Sequence, residues 1–393
     1  MKSSWRLFRI AGIDIGVHYT WLFIFILISW SLAQGLFPQQ HPGWSTLTYW
    51  SMGVFTALSL FISVLLHELA HSLVAQARGM KVGSITLFIF GGVSNLEEEP
   101  EKPRTEFVMA IVGPLTSLVL GFILWGVAMV LTGNAVSLSG LINGREFGSP
   151  VANALGYLAF INLTLAIFNL LPGFPLDGGR VLRSILWGST GSLKKATDAA
   201  AITGRLLGWA FILFGIAQIF GFKWWIFQGF FSGIWIAFIG WFLSSAADAS
   251  RREVTLREHL SGIKVKDVMN TQPGGISPET TVEQVVANIF QRLHGRAVPV
   301  CQDDKLLGIV TIDDVKKVPR EQWPATQVAS IMTSVPLYTV SPEDGLQTAF
   351  KMIAQHAINQ VLVTLDGKCI GMLSRADIIA HLQLSQELGI EKK

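Results

Sequence analysis

The chain has 393 residues, half of them hydrophobic and only 15% charged, against roughly a quarter charged in an average globular protein. A formal charge of +3, spread over short loops, does not mark a nucleic-acid binder, and no nucleic-acid partner is expected. The charge deficit is uneven: residues 17–247 carry almost none, while residues 251–393 have an ordinary soluble composition, so one uniform domain is excluded. This divides the chain into an apolar half at 1–250, a linker at 251–263, a soluble half at 264–385 and a tail at 386–393.

A membrane helix needs about 20 apolar residues. Six segments meet that need, at roughly 19–36, 52–75, 107–131, 152–171, 206–220 and 224–243. The first lacks a small-residue cleavage site and reads as a retained span. Trp44, Trp50, Trp209, Trp224, Trp225 and Trp241 fall near predicted ends, where indoles favour the interface. Basic residues alternate between loops. Lys2, Arg6 and Arg9 precede span one; Arg78, Lys81, Lys102 and Arg104 follow span two. Arg180, Arg183, Lys194, Lys195 and Arg205 follow span four, and Arg251 and Arg252 follow span six. The opposite loops hold only Arg145 and Lys223. The bias places both termini and the soluble half in the cytosol, in a multi-pass protein of the cell membrane whose lipid bilayer is its solvent.

Span two closes within FISVLLHELAHSLVAQARG, residues 61–79. Its HELAH puts His67 and His71 four residues apart on one helix face, where two neutral imidazoles can chelate one Zn²⁺. Glu68 stands beside them and can take a proton from a water acidified by the ion. At 1.5 Å per residue, both histidines lie about 6 to 12 Å below the cytosolic end of the span. Ionisable groups at that depth are costly and usually functional, which weakens the alternative that they are polar residues satisfied within a bundle.

Between spans two and three, residues 81–90 are rich in β-branched and aromatic side chains, and Gly91 and Gly92 signal a turn. The segment reads as a hairpin re-entering the membrane, whose edge could pair with an extended substrate strand; the alternative is a surface hairpin. Glu97, Glu98, Glu99 and Glu101 read as a solvated loop. Gly113 and Pro114, opening span three, read as close packing. Span four closes in FNLLPGFPLDGGR. Two prolines and three glycines break the helix there, and Asp177 is the carboxylate near that end. An Asx turn would explain Asp177 alone. A catalytic zinc needs a third protein ligand, and Asp177 lies at the depth of HELAH, so the ligand reading prevails.

HELAH in one span, followed by Asn169 and Asp177 in N-x-x-P-x-x-P-L-D-G-G, resembles the site-2 protease family of intramembrane zinc metalloproteases, over about residues 10–247. The resemblance implies one catalytic Zn²⁺ held by His67, His71 and Asp177, with Glu68 as the catalytic residue. It also implies that Asn169 assists by hydrogen bonding to substrate or transition state; interhelical polar contact is the alternative for Asn169. Family members carry a re-entrant β element and a Gly-Pro pair where this chain has its own.

Residues 264–320 and 325–385 are two copies of one unit, offset by 63 or 64 residues. VKDVM matches VASIM, ISPETTVEQVV matches VSPEDGLQTAF, and LLGIVTIDDV matches CIGMLSRADI. Cys301 and Cys369 belong to no CxxC pair and read as reduced thiols. The repeat resembles a tandem pair of cystathionine-β-synthase (CBS) domains, which implies a soluble α/β unit, adenine nucleotide such as ATP between the copies, and homodimerisation. Its motif falls on Gly308, Thr311 and Asp314, and on Gly371, Ser374 and Asp377. The carboxylates suit ribose hydroxyls and the hydroxyls suit phosphate, although simple helix caps would also explain Thr311 and Ser374.

The expected fold is thus a polytopic α-helical membrane protein, with six spans and a re-entrant hairpin, joined to a soluble tandem CBS unit. The expected activity is a zinc endopeptidase cleaving a transmembrane protein substrate near the cytosolic face under nucleotide control. A metal transporter gated by nucleotide would use similar ligands, but HELAH contains the carboxylate that hydrolysis needs and the spans show no inverted repeat. An inactive scaffold would not need all four polar residues.

Overall fold

The structure is a computed structural model that describes residues 4–89, 91–96, 100–133, 136–137, 140–141, 149–222, 230–271, 274–291, 296–302 and 305–388. Arg145, Lys223, Trp224, Trp225, Glu97, Glu98 and Glu99, used in the sequence reading, lie outside the described residues. The chain divides into two compact units, Met1–Val254 and Thr255–Lys393.

The first unit opens with a hairpin that hydropathy does not reveal. β1 (Ser4–Ile10) and β2 (Ile13–His18) pair antiparallel around Ala11 and Gly12, both at positive φ, the conformation that a two-residue turn between right-twisted strands demands. β2 runs parallel to β3 (Val82–Phe88), and β3 pairs antiparallel with β4 (Gly91–Leu96), giving the order β1-β2-β3-β4 with β4 at an edge. The expected hairpin is therefore half of a four-stranded sheet. Gly91 and Gly92 lie inside β4 rather than in the turn. Ile13, Ile15, Val82 and Ile85 pack on Ala75 and Met109, so the sheet covers the end of the helix that carries HELAH.

α1 (Tyr19–Ser31) continues through a π-helical turn at Leu32–Leu36 to Gln40. α2 (Thr46–Ala77) is capped by the Ser45 hydroxyl, which accepts from the Thr48 N–H at 3.2 Å. Its 32 residues span about 48 Å, well over the bilayer core. α3 (Pro103–Thr132) starts on a proline that needs no N–H partner and ends at Gly133 in the left-handed region. α4 (Pro150–Asn169) starts in the same way behind a Ser149 cap. α5 (Asp177–Thr190) is a further amphipathic helix, followed by α6 (Leu193–Ile219) and α7 (Phe230–His259). Among the described residues, six helices are long and apolar enough to cross a membrane: Tyr19–Gln40, Thr46–Ala77, Pro103–Thr132, Pro150–Asn169, Leu193–Ile219 and Phe230–Leu256.

The fifth begins well before the expected residue 206. Ser192 caps it and an alanine-rich stretch propagates it, whereas hydropathy sees only the polar Lys194, Lys195 and Asp198. Outward-facing side chains on these helices are apolar: Val130 and Phe231 are more than 80% exposed, an arrangement suited to lipid and not to water. Spans five and six meet where glycines remove side chains, since a Cβ on Gly208 would come within 2.6 Å of the Gly240 carbonyl.

In the second unit β5 (Ala297–Gln302), β6 (Lys305–Thr311), β7 (Thr333–Ser334), β8 (Thr339–Val340), β9 (Gln360–Leu365) and β10 (Lys368–Ser374) form one sheet, ordered β5-β6-β10-β9-β8 with β7 against β6. Its two hydrophobic cores are threaded across the repeat. Val265 packs with Val340, Leu346 and Val363, while Val328 packs with Val282, Val298 and Val310. Each VxxxM segment thus completes the other copy's core, and Glu343 receives Lys264 at 2.5 Å and Lys266 at 2.7 Å across that exchange. Cys301 and Cys369 form no disulfide.

Candidate metal centre

One stripe of α3 organises the centre. Glu106, Met109, Gly113 and Ser117 follow one another at three- and four-residue steps, so they share a helix face. That face meets α2. The His71 Nδ1 lies 2.6 Å from the Met109 carbonyl, and the His67 Nδ1 lies 2.9 Å from the Ser117 hydroxyl. Both rings are thereby held by their rear nitrogens and turn Nε2 toward a common point. Gly113 makes the approach possible: a Cβ there would collide with the His71 Nε2 and stand only 2.7 Å from that of His67.

The third side chain arrives from the turn after α4. Leu170 to Leu176 fold back so tightly that a Cβ on Gly178 would strike the Leu170 carbonyl and one on Gly179 the Gly173 backbone. The Phe174 N–H donates to the Ala200 carbonyl at 3.2 Å, tying the turn to α6. Asp177 is then the first residue of α5, and Leu176, not Asp177, occupies the cap position. The Asx-turn alternative therefore does not describe Asp177. Its Oδ2 lies 3.0 Å from the His67 Nε2 and 3.3 Å from the His71 Nε2, and the two Nε2 atoms are 3.2 Å apart.

This triangle fits a zinc ion. A tetrahedral ion with bonds of about 2.0 Å spaces its ligands by roughly 3.3 Å. With His71 donating from Nδ1 to a carbonyl, its Nε2 presents a lone pair. Set against a carboxylate oxygen and the second imidazole, that set of ligand atoms suits a cation between its members. Among the described residues, His67, His71 and Asp177 form the group able to hold a metal.

Glu68 points toward β4. The Ser94 hydroxyl donates to its Oε2 at 3.2 Å, and Ser72 lies 3.0 Å from Ser94 in the same chain of hydroxyls. A Cβ on Gly92 would collide with the Glu68 Cγ, which is why a glycine sits in the strand there, while Gly91 answers a positive φ of 128°. Asn169, the last residue of α4, is half-buried and forms no hydrogen bond to the cluster among the described residues.

Sequence reasoning passed over Ser94, Ser117, Glu106 and Arg183. Arg183, counted among the loop charges, is a buried residue of α5 whose Nε donates to the buried Glu106 Oε1 at 2.6 Å; its guanidinium lies 5.1 Å from the Phe174 ring centroid. Nothing local flags this pair, because its partners are 77 positions apart. Asn162, fully buried within α4, carried a signal that was available: a polar amide inside a span, here donating to Ser63 of α2 at 3.2 Å.

In the second unit the motif residues act on one another. The Thr311 hydroxyl donates to the Asp314 Oδ2 at 2.7 Å, and the Ser374 hydroxyl donates to the Asp377 Oδ2 at 2.6 Å. Both pairs close capping interactions at helix starts, since the Asp314 and Asp377 N–H groups return to the hydroxyls. The glycines are packing residues: a Cβ on Gly308 would meet Thr333 and Met332, and one on Gly371 would meet Asn270 and Met269. The copies differ at one contact, where the Lys317 Nζ donates to the Asp314 Oδ1 at 2.9 Å while the second copy has Ala380 at the equivalent position. Burial pushes the Asp314 carboxyl up, but hydrogen bonds from Lys317 and Thr311 outweigh it and hold it below the usual range.

Six membrane-capable helices and a His/His/Asp cluster able to hold a metal define a multi-pass membrane protein with a candidate metal centre. The sequence pattern of Peptidase family M50 matches residues 55–214, and that of the CBS domain matches residues 265–321 and 328–384. The chain is similar to sll0528 of Synechocystis sp., with 35% identity over 98% of this chain and 97% of that protein. It is also similar to "Zinc metalloprotease MJ0392" of Methanocaldococcus jannaschii, with 30% identity over 99% of each. A solved site-2 protease from that organism is 30% identical and covers 63% of this chain and 95% of its own, with a TM-score of 0.41. The chain belongs to Peptidase family M50, the site-2 protease family of zinc metalloproteases, and carries tandem CBS domains behind the peptidase part.

Proposed function

We propose that this chain is an endopeptidase that cuts a transmembrane segment of another protein close to the cytosolic face, at a Zn²⁺ held by His67, His71 and Asp177. The supporting observation is the convergence of two imidazoles and a carboxylate, 106 to 110 positions apart, with both rings fixed from behind. When bound, the ion supplies Lewis acidity that polarises a peptide carbonyl and acidifies water. Met109 and Ser117 hold the imidazoles with Nε2 forward. Glu68, oriented by Ser94, accepts a proton from the attacking water and returns it to the departing amide nitrogen. Asn169 is assigned a hydrogen bond to the substrate.

A helical substrate hides its amides, so cleavage needs an extended segment. The edge of β4 offers backbone groups for strand addition, and Gly92 brings that strand against Glu68. The sheet is read as re-entering the membrane, with both termini and the CBS pair in the cytosol, as the loop charges indicate.

We further infer that adenine nucleotide binds the CBS pair through the motifs ending in Asp314 and Asp377 and alters cleavage, in a protein that dimerises through that pair. Asp377 is the better ribose acceptor, because a lysine already engages the free oxygen of Asp314.

The test is cleavage of a model transmembrane substrate in proteoliposomes. Wild-type protein with zinc cleaves and Glu68→Gln does not, while retaining its metal. Equal cleavage by Glu68→Gln, or zinc flux without proteolysis, would overturn the reading.

A further inference from the structure

We infer that the buried Glu106–Arg183 ion pair is a positioning device for Asp177, setting the register of α5 against the helix that also orients both histidines. The inference rests on the metal-site reading above. A buried ion pair is a poor way to hold two helices together, because the desolvation of both charges consumes most of the attraction, and apolar residues of similar volume usually serve as well. What such a pair does supply is a single register, since a guanidinium and a carboxylate meet in few geometries.

The surroundings show which register is being set. Arg183 reaches Glu106 through Nε at 2.6 Å, with Nη2 on the same oxygen, and its guanidinium stacks over Phe174 in the turn that leads into Asp177. The arginine therefore touches both the body of α3 and the loop that places the carboxylate. Glu106 stands one turn before Met109, whose carbonyl holds His71, and on the same face as Ser117, which holds His67. One stripe of α3 thus indexes all three metal-facing side chains, two of them directly and Asp177 through Arg183. The glycine contacts and the Phe174 N–H fix the backbone path of the turn and the first turn of α5, and Arg183 adds a directional contact to α3 further along that helix.

The prediction separates positioning from bulk stability. Purified full-length protein is stripped of metal and titrated with Co²⁺, whose visible spectrum reports both affinity and ligand geometry, and thermal unfolding is followed on the same samples. Glu106→Gln weakens Co²⁺ binding by about 10- to 100-fold, the range found for residues that orient metal ligands, and its spectrum moves toward that of Asp177→Asn. The double variant Glu106→Gln/Asp177→Asn binds no more weakly than Asp177→Asn alone, because both changes remove the same ligand. A purely structural pair would instead lower the unfolding midpoint and leave the affinity and spectrum of the folded fraction unchanged, or add its effect to that of Asp177→Asn; either result overturns the inference. If Glu106→Gln does not fold, Arg183→Lys, which keeps the charge and loses the planar fork, takes its place in the same cycle. Wild-type affinity in Asp177→Asn itself would overturn the metal-site reading and the inference together, whereas wild-type affinity in Glu106→Gln beside a weakened Asp177→Asn would overturn the inference alone.

Discussion

The metal centre and the two CBS motifs are both small sets of carboxylates with polar neighbours, yet they stand in opposite states. At the CBS motifs the polar groups satisfy one another: Thr311 with Asp314, Ser374 with Asp377, and Lys317 on the remaining oxygen of Asp314. At the metal centre the rear nitrogens are held by Met109 and Ser117 and the front atoms converge on one another, His71 Nε2 against His67 Nε2 and Asp177 Oδ2. The first arrangement closes largely on itself, with the second oxygen of Asp314 taken by a lysine and that of Asp377 by none among the described residues. The second turns its ligand atoms toward one point, where a single cation would engage all three. A motif read from sequence does not distinguish these cases; the hydrogen-bond partners do.

The largest effect that would break this contrast concerns Glu68. Its replacement by glutamine is expected to lower the cleavage rate by at least 10²–10⁴-fold, the usual contribution of a general acid/base, with zinc content unchanged by elemental analysis. Next is Gly113→Ala, where the added Cβ collides with both imidazoles. Metal binding is expected to fall by more than tenfold, while Gly126→Ala on the same helix, which meets nothing within 4 Å, keeps the metal and gains slightly in helix propensity.

Smaller effects sharpen the CBS side. Asp377→Ala and Asp314→Ala each remove the carboxylate half of a capping box, readable as a lower unfolding midpoint. In calorimetry of the full-length protein, Asp377→Ala is expected to weaken adenine nucleotide more than Asp314→Ala. Equal losses would remove the inequivalence assigned to Lys317. The smallest effect belongs to Glu343. Hydrogen bonds from Lys264 and Lys266 bring its carboxyl down to about 2 from an ordinary 4.5. A depressed carboxyl stabilises the fold above its unfolded value and loses that contribution as pH falls from about 4.5 toward 2. Glu343→Gln should therefore lower the unfolding midpoint at neutral pH and low salt. The gap to wild type should close on acidification or at high salt, since the pair is exposed.

What the sequence disclosed follows from what chemistry leaves no choice about. HELAH needs two imidazoles and a carboxylate on adjacent turns of one helix, and the PLDGG turn needs its glycines because backbone meets backbone there. Both are local and readable. Ser94, Glu106 and Arg183 are not local: each acts through a partner on another element, and residue type alone gave Arg183 to a solvent-facing loop. β1 and β2 were missed for another reason. Hydropathy over long windows ignores alternation, although Ile13, Ile15 and Val17 around an Ala-Gly turn carried the two-residue period of a half-buried strand. The start of the fifth span shows the converse error, since a helix continues through polar residues once it is capped and rich in alanine.

The central claim is that residues from α2 and α5 hold one metal ion together. Zinc per chain, measured on purified wild type, His67→Ala and Asp177→Ala after equal exposure to the metal, tests it most directly. The account predicts one ion per wild-type chain, lost or sharply reduced in both variants while the helices remain folded by circular dichroism. Full occupancy retained in Asp177→Ala would contradict it.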